Sequence, residues 1–145
     1  MATLLVASPL TVALLTALHA DAPWLALCPG RAWDVLPQNV VWPASLVVVR
    51  VPQDLAGFGT GSLPAVEVRH HVFSKQGSMK EAHQIMNRTI ELWKHVPIDL
   101  AAAGFDHCGG AFWCDEVTPI PSTVVNGVQC HELVGMFRGY FEKVG

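Results

Sequence analysis

The stretch that decides the fold is VEVRHHVFSKQGSMKEAHQIMNRTIELW, Val66 to Trp93. Its first eight residues alternate. Val66, Val68, His70 and Val72 fall on one side, and Glu67, Arg69, His71 and Phe73 on the other. That period of two predicts a half-buried antiparallel strand. The period then changes to three and four. Ala82, Ile85, Met86, Thr89, Ile90 and Trp93 form an apolar stripe, which predicts an amphipathic helix closed by Pro97. Ser78 and Glu81 stand in the S-x-x-E spacing of a capping box. Lys80, Glu81, Gln84, Asn87, Arg88 and Glu91 make the polar face. Strand, polar turn and helix in this order predict a sheet with a helix packed on it.

Upstream, LLVASPLTVALLTAL (residues 4–18) is apolar and ends near small residues, as a secretory signal does. The first Lys or Arg is Arg31, however, and Pro9 follows Ser8 as at a helix start. The run predicts an N-terminal core helix over Pro9–Ala20, and it is short for a bilayer span. The Pro- and Trp-rich segment after it predicts an irregular connection, with an extended piece near Arg31–Val35. SLVVVRV, residues 45–51, reads as a strand buried on both faces. Residues 52–64 read as a loop between paired strands, carrying Asp54, Leu55, Phe58 and Leu63. Apolar side chains at a hairpin tip point to a partner surface.

Residues 98–115 read as a connection, followed by a short strand near Trp113–Pro119. Asn126-Gly127 signals a hairpin turn, and Val128–Phe141 a long strand in which Gly135 and Gly139 mark bends or close packing. The expected fold is α+β: a small, mostly antiparallel sheet with an N-terminal helix and one main amphipathic helix, in a single domain over 1–145.

Composition narrows the function. Of 145 residues, 51% are apolar and 14% charged, and the formal charge is −3 without a basic run. So few charges suit a chain whose surface is covered by partners, and the balance disfavours a nucleic-acid-binding face. Cys108, Cys114 and Cys130 with His107 and His131 offer thiolate and imidazole, the ligands of zinc, but lack the two-to-four-residue gap of a ligand pair. Cys108 and Cys114 flank a Gly-rich stretch that a disulfide can span. The preferred reading is free thiols, no metal and no cofactor. Adjacent His70 and His71 point to opposite faces and do not share a ligand. Phosphate cradles and HExxH or GxSxG motifs are missing, so no catalytic residue is assigned.

With this order laid out, the chain resembles the tail completion, or tail terminator, proteins of long-tailed bacteriophages. The resemblance is carried by ASPLTVALLTALHAD, SLVVVRVPQD, AVEVRHHVFSKQGSMKEAHQIMNRTIELW and HELVGMFRGYFEKV. It implies a structural virion protein forming a ring, usually a hexamer, that caps the tail tube and joins it to the head-side connector. The implied partners are copies of itself, the tail tube protein and a connector or neck protein. DNA crosses the lumen without specific binding, and no membrane is involved. Candidate interface residues are Asp54, Leu55, Phe58 and Leu63 on the loop, with Lys80, Gln84 and Arg88 on the helix. A neck or head-completion ring is the alternative within the same particle. A secreted, cysteine-containing enzyme or binding protein is the alternative outside it.

Overall fold

The computed structural model describes residues 2–50, 65–75, 78–95, 98 and 105–143. Its elements are α1 (Ala2–His19), α2 (Ala22–Leu27), β1 (Ala32–Trp33), β2 (Ala44–Arg50), β3 (Ala65–Ser74), α3 (Lys80–His95), β4 (Phe105–Val125) and β5 (Val128–Lys143). The fold is α+β. Five strands form one sheet in the order β1-β2-β3-β5-β4, antiparallel except for the short β1–β2 pair.

The period-two reading of β3 holds. Val66, Val68, His70 and Val72 lie in the core, opposite Gly139, Phe137, Gly135 and Leu133 of β5. The stripe of α3 packs on this face through Ala82, Ile85, Met86, Thr89, Leu92 and Trp93, while Ile90 is half-buried. α1 adds Leu10, Leu14 and Leu18, and α2 adds Trp24, whose indole Nε1–H donates to Thr89 Oγ1 at 2.9 Å. Gly135 and Gly139 are close-packing positions. A methyl at Gly139 would meet the Phe112 ring at 2.5 Å, and one at Gly135 would meet Met86 Sδ at 2.6 Å. Asn126 and Gly127 both take positive φ (50° and 78°), so β4 and β5 join through the two-residue turn that the pair predicts.

Four expectations change. α1 begins at Ala2 and Pro9 lies inside it, where its ring nitrogen has no hydrogen to give to the preceding turn. The connection after α1 contains α2, because the Asp21 carboxylate accepts from Trp24 N–H at 2.9 Å and Pro23 sits in the first turn, where it breaks no hydrogen bond. β2 is buried chiefly on one face: Ser45 and Val47 are inside there, while on the other face only Ala44 is buried, Leu46 and Val48 are half-buried and Arg50 is exposed. The stretch read as a connection plus a short strand is one strand of 21 residues. Three register irregularities interrupt it, and as an edge strand it accommodates Pro119 and Pro121 without costing the sheet a hydrogen bond.

The capping box is also incomplete. Lys80 N–H reaches Ser78 Oγ only at 3.5 Å, and Glu81 turns away to accept from the Ser74 hydroxyl at 2.8 Å. Met79 supplies the carbonyl for the first helical bond, from His83 N–H.

Candidate functional site

Lys80, Gln84 and Arg88 follow one another at helical spacing on α3. Lys80 and Gln84 are exposed. Arg88 is engaged within its own chain: Nε and Nη2 hold the two oxygens of Asp21 at 2.8 and 2.7 Å. The hydrogen bonds from Arg88, more than its charge, hold the Asp21 carboxyl below its usual range. One carboxylate thus caps α2 and ties it to α3. Asp54, Leu55, Phe58 and Leu63 lie outside the described residues.

The helices lie on one face of the sheet. On the other face the pairing register sets side chains in rows. Arg50, Glu67, Arg138 and Trp113 form one row, and Val48, Arg69, Met136 and Glu116 the next. Further along come Leu46, His71, Val134 and Thr118. The far end of this face is covered: Leu36, Val40 and Trp42 pack on Phe73, Val125 and Cys130, and the Asn126 amide donates to the carbonyls of Pro37 and Gln38, each at 3.0 Å. The end nearer Arg50 keeps Trp113 56% exposed. Its charges are paired locally, Arg69 Nε with Glu67 at 3.1 Å and Arg138 Nη2 with Asp115 at 3.2 Å.

The histidine pair separates as alternation requires. His71 Nδ1 lies 3.4 Å from Glu132 on the open face. His70 is fully buried between Trp24 and Trp93, with ring centroids 6.4 and 5.4 Å away. Neither of its nitrogens has a hydrogen-bond partner. Burial, with a smaller contribution from His71, pushes its pKa down to about 3.

The cysteines do not converge. Cys114 faces the helix side and Cys130 the opposite cluster. Cys28 is buried and its thiol is pushed up to about 12. Cys28, Cys114 and Cys130 are free thiols, and the side chains of His107 and Cys108 lie outside the described set. Among the described residues no three His, Cys, Asp or Glu side chains are placed to hold a metal ion. No helix among them is long and apolar enough to cross a membrane.

The described residues thus present an open sheet face, an exposed tryptophan and a helix with a polar flank. The profile of the tail completion protein gp17 family matches residues 12–103. The chain belongs to this family. Members are structural proteins of phage tails, not a class of enzymes, and the place of this tail completion protein is the virion. No curated protein matches it. Its fold is similar to that of a chain in the virion of a native gene transfer agent particle, with a TM-score of 0.68 and 17% identity, over 90% of this chain and 92% of that one. The matched span begins inside α1 and covers β2, β3 and α3, which carry most of the resemblance seen in the sequence; the closing stretch HELVGMFRGYFEKV lies beyond it. Sequence reading missed the open sheet face. Its signal was present in the outward positions of β3, but β4, which completes the rows, had been broken up by its glycines and prolines.

Proposed function

We propose that this tail completion protein assembles into a homo-oligomeric ring, with six copies as its family resemblance implies. The ring caps the finished tail tube and joins it to the head-side connector or neck protein. The family match across α1 to α3 is the observation that carries this reading. The exposure of large apolar side chains in a chain only 14% charged supports it: Val12, Val35, Val41, Trp113 and Val124 all face solvent in the single copy. Loop residues Asp54, Leu55, Phe58 and Leu63 are assigned to the contact with a neighbouring subunit or the adjacent tail ring. Lys80 and Gln84 flank that contact, and Arg88 supports it through its hold on α2. Six copies at −3 each carry a net charge of about −18, and a ring of that charge would let DNA pass without gripping it.

Electron microscopy of the purified protein tests the ring, which should show a central hole. Tails assembled in its absence test the cap. They should be irregular in length or unable to join heads. Normal virions formed without the protein would reject the function, and uniform, complete tails that lack only heads would favour a neck ring instead.

A further inference from the structure

The sheet has two unlike edges. On one, β1 covers only the start of β2: the ladder runs Ala32↔Ser45 and Trp33↔Leu46 and stops. Ser45 N–H donates to Arg31 O on this side, so by strand alternation Val47 and Val49 also direct their main-chain groups outward, while Leu46, Val48 and Arg50 bond to β3. Beyond Trp33, no described residue pairs with this flank of Val49. A groove of about 370 Å³ runs beside it, lined by Val12, Leu15, Asp34 and Val48 among others. Val12 is 62% exposed, and Val35 close by is 75% exposed. The other edge is the outer flank of β4, which pairs only with β5 among the described residues. It carries the exposed Trp113, and its full set of outward N–H groups lies before Pro119.

An open flank with an apolar groove is the ordinary acceptor for an added strand. Charge selects the donor. The β2 edge carries exposed Arg31 and Arg50 with Asp34, and the β4 edge carries exposed Asp115 and Glu116 beside Arg138. Joining β2 to β2 sets a net positive edge on itself, and joining β4 to β4 does the same with negative charge. Only the unlike pairing neutralises both. Contact between unlike edges is heterologous, and heterologous contacts close into a ring when the rotation between successive copies closes. The irregularities of β4 add the local bend that a closed wall of strands requires.

We infer that β4 of one copy adds to the open flank of β2 in the next, so that the ring wall is a continuous sheet with Arg50 and Glu116 on its shared open face. The inference rests on the ring reading proposed above and names its interface.

Sedimentation velocity and electron microscopy on the full chain test it, with circular dichroism to verify folding. Val49→Pro removes an outward N–H without touching the β2–β3 ladder, and it should leave a folded monomer at concentrations where the wild type forms rings. Arg50→Glu and Glu116→Arg should each weaken association about tenfold or more, and the double reversal should restore it. Rings of wild-type affinity from all these variants overturn the edge assignment while the ring reading stands. A wild-type protein that stays monomeric at every concentration overturns both. If Val49→Pro fails to fold, the charge-reversal set decides alone: mutual rescue supports the interface, and its lack rejects it.

Discussion

His70 makes a quantitative prediction about acid. In the fold its imidazole is neutral, fully buried and without a hydrogen bond, with its pKa pushed down to about 3. In the unfolded chain it returns to about 6.5. The unfolded state therefore binds a proton that the native state refuses, and stability rises with pH. The contribution is fully present above pH 6.5 and is lost as the pH falls toward 3. At pH 5 the unfolded state is favoured by about 2 kcal/mol relative to pH 7.5, from 1.36 kcal/mol per pH unit below the unfolded pKa. His19, held low by burial ahead of the nearby Arg31, shifts stability in the same direction. The variant His70→Leu isolates the first effect, because it fills a similar volume and carries no proton. Urea unfolding of both proteins should give curves whose separation changes by about 2 kcal/mol between pH 7.5 and pH 5, the variant losing less. Replacing an unsatisfied buried polar group with an apolar one should cost little at pH 7.5. Parallel stability curves across this range, or an NMR titration placing His70 in the folded protein near 6.5, would refute the reasoning.

Gly139→Ala and Gly135→Ala should each cost about 1–3 kcal/mol, the first because its methyl meets the buried Phe112 ring and the second because, although the flexible end of Met86 can move aside, its methyl also meets the buried Phe137 ring at 2.9 Å; thermal unfolding of the two variants checks both. Trp93→Ala should cost about 3–5 kcal/mol in urea unfolding, since the indole is fully buried against Phe137 at 4.8 Å between centroids. Asp21→Ala should cost about 1 kcal/mol through loss of the α2 cap, and Asp21→Asn, which keeps a capping oxygen, should recover most of it. Ser78→Ala should cost at most a few tenths of a kcal/mol, below the usual cap value of about 1, because its bond to Lys80 N–H is long; a full 1 kcal/mol loss would show that Ser78 caps the helix in solution.

What could be read from the sequence follows from how regular each element is. β3 and α3 announce themselves because one face of each is apolar throughout and their periods differ. The Asn126-Gly127 turn is legible because few other residues accept two successive positive φ values. β4 was illegible for the opposite reason. Its register slips at Cys108/Trp113, Cys114/Glu116 and Ile120/Thr123, so inward positions do not keep a period of two. Its glycines and prolines, read as breakers, are permitted by its place at the edge. α2 was hidden because Pro23 was weighed as a helix breaker, when after Asp21 it sits in the first turn. The S-x-x-E motif misled because Glu81 has a nearer partner in Ser74, a competition that only the three-dimensional arrangement of β3 and α3 reveals. The candidate interface residues fared unevenly for a related reason. A polar helix face looks uniform in sequence, yet Arg88 on it is committed to Asp21 while Lys80 and Gln84 are exposed.

The open face also bears on how the proposed ring would meet DNA. A surface that grips phosphate needs cations free to release counterions. Here Arg69 is held by Glu67, Arg138 by Asp115 and, on the helix side, Arg88 by Asp21. The Arg69 and Arg138 pairs are surface-exposed enough to be worth little to stability, whereas the bidentate, part-buried Arg88–Asp21 pair also ties α2 to α3. Their consequence is electrostatic: three arginines are neutralised where they stand, and the net charge of the chain remains −3. Arg50 lies opposite Glu67 in the pairing register, yet the described ion pairs give Glu67 to Arg69. Arg50 is thus the cation at the β2 edge that, in the inferred interface, would meet Glu116 of a neighbouring copy, since Asp115 is held by Arg138. In the proposed ring, the same distribution would offer DNA little grip and would leave a cation at the seam between subunits. Removing Arg50 should weaken assembly far more than it weakens the fold.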